Sequence, residues 1–112
     1  MSYGIKADSF TGNLTGNVNG SFKATYAAKT ANYTLTSNDS VINCTSNSFA
    51  ITLPTAAGVS GQTYVIKNSG SGTITMNTTS SQTIDGNASG TLTLIQYDAM
   101  TVVSDGANWI IV

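Results

Sequence analysis

Five aspartates, one cysteine and a few aromatic side chains are the groups in this chain with chemistry to offer. Glu, Arg and His are absent from its 112 residues. Without histidine there is no Ser-His-Asp or Cys-His nucleophile and no imidazole metal site. Without Arg or Glu there is no bidentate anion clamp and no glutamate base. Asp8, Asp39, Asp85, Asp98 and Asp105 are far apart in sequence, so a hydrolytic pair would have to be assembled by the fold. Asp85 and Asp105 each stand next to a glycine, where Asp is favoured as a turn former. Neither segment has the spacing of an EF-hand. The expectation is a protein that is not an enzyme and holds no cofactor and no metal. Cys44, between Asn43 and Thr45 in a strand-like run, reads as a small core residue and not as a reactive thiol.

Binding is the better-supported chemistry. Tyr64, Tyr97 and Trp109 sit in strands or turns among Asn, Asp and Gln, and exposed aromatics in such company hold sugar rings. They are the candidate receptor contacts. The competing reading places each in the core or at a subunit interface with its polar tip bonded. Lys6, Lys23, Lys29 and Lys67 are scattered in a chain of net charge −1, which gives no basic patch. Phosphate neutralisation needs such a patch, so nucleic acid is excluded as a partner. No apolar run has the length of a membrane span, and membrane insertion is not expected.

The elements that must position these residues are strands. Charged residues make up only 8% of the chain while hydrophobic residues make up 40%, and Thr, Ser, Asn and Gly fill much of the rest. That balance disfavours helix and disorder and favours an all-β protein. From Tyr33 onward short strands alternate with turns, at the spacing of a sandwich or barrel. The pattern predicts strands at 33–36, 40–44, 49–53, 63–68, 73–77, 82–84, 91–95, 100–104 and 109–112. Pro54 ends one of them by removing a ladder donor. Ser69-Gly70-Ser71-Gly72 reads as a hairpin loop, and Asp85-Gly86 and Asp105-Gly106 as tight turns.

Upstream of Tyr33 the rhythm is different. Phe10, Leu14, Val18, Phe22 and Tyr26 recur every fourth residue, and Gly12, Gly16, Gly20, Ala24 and Ala28 fall midway between them. A period of four is also a period of two, so one face of an extended strand would read large, small, large, small. Glycine every fourth residue excludes collagen, and three glycines among Asn and Thr argue against helix as far as Ser21. A lone ribbon cannot cover its own apolar face. Copies of itself would do so, with large residues turned inward and glycines where backbones crowd. The alternatives are a disordered Gly/Asn/Thr linker whose periodicity is accidental and, as a smaller one, an edge strand on the downstream domain.

The chain resembles the C-terminal domains of phage tail fibres and related virion fibre or spike proteins. The matching residues are Tyr33-Thr34-Leu35-Thr36, Asn38-Asp39, Leu53-Pro54, Gly61, Ile66-Lys67-Asn68, Ile84-Asp85-Gly86, Tyr97 and Asp105-Gly106-Ala107-Asn108-Trp109. Upstream, Thr11-Gly12-Asn13-Leu14-Thr15-Gly16-Asn17-Val18 is similar to the Gly-Asn repeats that precede such heads. The resemblance implies a homotrimer on the virion surface, with residues 1–32 as an intertwined β shaft and junction and residues 33–112 as a β-sandwich, jelly-roll-like head. The expected partners are further copies of the chain, a host cell-surface receptor such as a glycan, and other fibre or baseplate proteins. The alternatives are a monomeric carbohydrate-binding β-sandwich and a purely architectural capsid or baseplate decoration.

Overall fold

The computed structural model describes residues 15–17 and 19–112, and within them the chain is all-β without helices. The strands are β1 (Tyr26–Lys29), β2 (Tyr33–Thr34), β3 (Val41–Cys44), β4 (Phe49–Thr52), β5 (Thr63–Asn68), β6 (Ile74–Asn77), β7 (Leu92–Leu94), β8 (Ala99–Ser104) and β9 (Trp109–Ile111). In β3, β5, β6 and β8 every second residue is buried, the period-two signature of a strand with one face on a core.

The strands form two mixed sheets, one ordered β1-β3-β5-β8-β9 and the other β2-β4-β6-β7. From β1 to β6 the chain changes sheet at every connection. Each new strand is added in parallel, Tyr26 beside Val41 beside Val65 in one sheet and Tyr33 beside Ile51 beside Met76 in the other. The path is a flattened coil. At β7 it reverses, and β7, β8 and β9 close the stack with antiparallel pairings. One core lies between the sheets, with Ile42, Tyr64, Ile66 and Val102 from the first meeting Ile51, Ile74, Met76 and Leu94 from the second.

This winding departs from the antiparallel order of a jelly roll. The reason is visible at 69–72, which the sequence pattern predicts as a hairpin loop. The segment is a corner that carries the chain from β5 in one sheet to β6 in the other. It stacks directly on the preceding corner, with the amides of Ser69 and Gly70 donating to the Cys44 carbonyl at 2.8 and 3.1 Å. A Cβ on Gly70 would come within 1.9 Å of the Ser46 carbonyl oxygen, so only glycine fits. Asn68, fully buried, holds the corner from inside. Its Nδ2 donates to the carbonyls of Gly72 and Leu94 at 2.8 and 2.9 Å, and its Oδ1 accepts from the Gly70 amide at 3.0 Å.

The two Asp-Gly segments do turn the chain. At Asp85-Gly86 both residues have positive φ (49° and 79°), the geometry of a type I′ turn, and Ile84 and Asn87 exchange backbone hydrogen bonds across it. The predicted strand at 82–84 is reduced to isolated bridges from Ile84 to Asn87 and to Trp109. The first sheet begins at Tyr26, upstream of the boundary expected at Tyr33. Residues 19–25 carry no strand, and Gly16 and Gly20 have φ of 113° and 128°, outside the extended range. The uninterrupted ribbon expected over this stretch is therefore not seen in the single chain, where an isolated strand has no neighbour to accept its hydrogen bonds. Phe10, Gly12, Leu14 and Val18 lie outside the described residues.

Candidate receptor and assembly surfaces

Tyr64 and Trp109 are not receptor contacts in this fold. Both are buried, and their rings pack at a centroid distance of 5.5 Å with a 49° tilt. Each polar tip is satisfied inside. The Tyr64 hydroxyl donates to the Thr36 carbonyl at 3.0 Å, and the Trp109 indole N–H donates to the Pro54 carbonyl at 3.2 Å. Alternation explains the burial. Tyr64 shares its face of β5 with Ile66 and Asn68, which point into the core.

Tyr97 is placed differently. It lies between β7 and β8 with its side chain 67% exposed, and Ile95 beside it is 61% exposed. Its φ of 70° is left-handed, an uncommon and strained conformation for an aromatic residue. Backbone bonds between Asp98 and both Ile95 and Asn68, and three further bonds, hold the loop around it. The Tyr97 amide donates to the Asn68 carbonyl, Lys67 Nζ donates to the Tyr97 carbonyl, and the Ile95 amide donates to Asp98 Oδ2. The Lys67 ammonium also stands 5.8 Å from the Tyr97 ring centroid. The result is an aromatic face turned to solvent beside a cation and a carboxylate, which can stack on a planar or sugar-like apolar face.

The described aspartates are committed to the backbone. Asp105 Oδ1 accepts from the amides of Ala107 and Asn108, which hold its carboxyl below the ordinary value. Asp85 Oδ1 accepts from the Ile111 amide at 3.1 Å and so closes the outer edge of β9. Asp39 was not singled out as a site residue, yet it anchors the densest polar cluster. Its Oδ2 accepts from the Tyr33 hydroxyl, the Thr36 amide and the Thr36 hydroxyl at 2.7, 2.8 and 3.2 Å. Burial works to raise the Asp39 pKa, but these bonds and the Lys29 charge together overcome it and hold the carboxyl low. The same bond to Asp39 pushes Tyr33 up, and Lys29 Nζ sits 3.8 Å above the Tyr33 ring. The legible signal was Thr36 three residues before Asp39, a local side-chain-to-backbone motif.

The outer faces of the two sheets differ. Around β2, β4, β6 and β7 the outward positions are Thr34, Thr52, Thr75, Thr93 and Asn77, all able to bond water, together with Ala50. On the other sheet one row runs Tyr26, Val41, Val65 and Thr101. It ends at Val112, whose amide donates to the Thr101 carbonyl at 3.0 Å and whose side chain is 70% exposed. Upstream of this row Phe22 is 83% exposed, and Tyr26 itself is 61% exposed.

No family model matches the chain, and neither do the curated proteins or the solved structures with which it was compared.

Proposed function

We propose that the chain is the tip of a trimeric virion fibre that contacts a host-surface receptor, and that it is structural and adhesive, not enzymatic. The repeat from Phe10 to Tyr26 intertwines three chains as a shaft. The two sheets then serve as a sandwich head at the end of that shaft. The observation that carries this reading is the exposure of Phe22 and Tyr26 at four-residue spacing on a lone chain, 83% and 61%. Large apolar side chains repeated in register and left open to water are stabilised by covering them, and identical chains supply identical stripes. The tail-fibre resemblance carried by the Gly-Asn repeat and the Asp-Gly-Ala-Asn-Trp ending at Trp109 supports the same reading. In it, Tyr97 is the receptor-facing aromatic, with a glycan as the class of ligand its surroundings suit.

Replacing Phe22 and Tyr26 by Asp together tests the reading. A trimer that dissociates while each head keeps its strand signal by circular dichroism is the expected result. A trimer of unchanged mass and melting temperature would remove the shaft from the account.

A further inference from the structure

We infer that the outer face of the sheet β1-β3-β5-β8-β9 is the surface by which further copies of this chain pack together, an inference that rests on the trimeric reading above. The two outer faces are set apart by their side chains. One carries threonines, an asparagine and Ala50, whereas the other carries the row from Tyr26 to Val112 with Val103 and Ile110 beside it, interspersed with Asn43, Thr63 and Lys67. Lys67 is the one charge on the apolar face among the described residues, and its ammonium is drawn to the Tyr97 carbonyl at the rim. Copies meeting here bring no side-chain carboxylate out of water, which limits the desolvation cost.

Continuity with the repeat identifies the occupant as a second copy and not an unrelated partner. Tyr26 is at once the last large residue of the four-residue repeat and the first residue of the row across the sheet. Chains brought together along Phe22 and Tyr26 are therefore already aligned to meet through Val41 and Val65. The areas agree with a joint interface. The strands β1, β3, β5, β8 and β9, with four, four, six, six and three residues at about 3.3 Å rise and about 4.8 Å spacing, give a face of roughly 360 Å². A stable interface needs about 800 Å² per partner, so sheet and repeat must act together.

Thiol protection tests the assignment, because Cys44 is buried and its pKa is pushed up to about 11, which leaves the background silent. Thr101→Cys on the apolar face and Thr75→Cys on the threonine face are alkylated in the full-length chain at concentrations where its mass is trimeric. The expected result is protection of Thr101→Cys by at least about tenfold relative to Thr75→Cys, released on dilution to monomer. Equal rates for the two in a verified trimer overturn the assigned face while leaving the trimer standing. A wild-type chain that is monomeric at every concentration overturns both. Val65→Asp gives the second measure: the trimer should weaken while Thr75→Asp leaves it intact, and the reverse order contradicts the assignment.

Discussion

The Tyr33 hydroxyl donates to Asp39 Oδ2 at 2.7 Å, a bond that ties β2 in one sheet to the loop entering β3 in the other. Asp39 is only 8% exposed and serves two donors from Thr36 as well. The cluster thus latches the first coil of the fold. Truncating it with Asp39→Ala leaves the Tyr33 hydroxyl and the Thr36 amide without their acceptor and should cost about 2–3 kcal/mol. Chemical denaturation would show this as a lower midpoint at unchanged slope.

The same residue sets an acid limit. Its folded pKa is lowered, so the carboxylate contributes stability that is present above its unfolded value, about 3.9, and lost as pH falls through the lower folded value. Thermal melts from pH 5 down to pH 2 should fall for the wild type. Asp39→Asn, which does not titrate, should start lower and lose less. Parallel curves for the two would show that Asp39 does not carry the acid sensitivity.

The stacked corners depend on one glycine. Gly70→Ala drives a Cβ into the Ser46 carbonyl, a backbone atom that has no rotamer to escape by. The variant should lose several kcal/mol or fail to fold, whereas Gly86→Ala, with open space around its Cβ, should cost only the strain of its positive φ, about 1 kcal/mol. Equilibrium unfolding of the pair ranks them.

Tyr97 offers a separation of stability from binding. Its left-handed backbone is a strain that glycine would not feel, so Tyr97→Gly should keep or raise the melting temperature, by up to about 1 kcal/mol of stability. It should nevertheless abolish attachment to host cells or to an arrayed glycan. A binding-competent Tyr97→Gly would take the loop out of the receptor account.

Cys44 should be silent toward alkylating reagents at pH 8 in the native protein, since burial raises its pKa to about 11 and the thiolate is the nucleophile. Reaction should track unfolding in denaturant. Rapid native-state alkylation would mean that the coil opens at β3.

Most strands were legible because alternation survives in the sequence, as in Thr73-Ile74-Thr75-Met76-Asn77, and β5 runs over the predicted residues Thr63–Asn68. The winding was not. Ser69-Gly70-Ser71-Gly72 has the composition of a hairpin loop and of a corner alike, and what decides is a non-local contact with Ser46 and Cys44. The aromatics were ambiguous for a related reason. In Tyr64-Val65-Ile66 both faces of the strand are apolar, so parity does not say which points inward. Trp109 reads the same whether its indole N–H meets a sugar or, as here, the carbonyl of Pro54. Tyr97 owes its exposure to a backbone conformation that no local residue type announces.

The central claim is self-assembly of three chains, and the most direct measurement is the solution mass of the intact chain by light scattering on a sizing column, across a dilution series. A mass three times that of one chain, persisting into the micromolar range, is the predicted result. A mass equal to one chain at every concentration would contradict it and leave Phe22 and Tyr26 exposed, and the valine face half-buried, on a monomer.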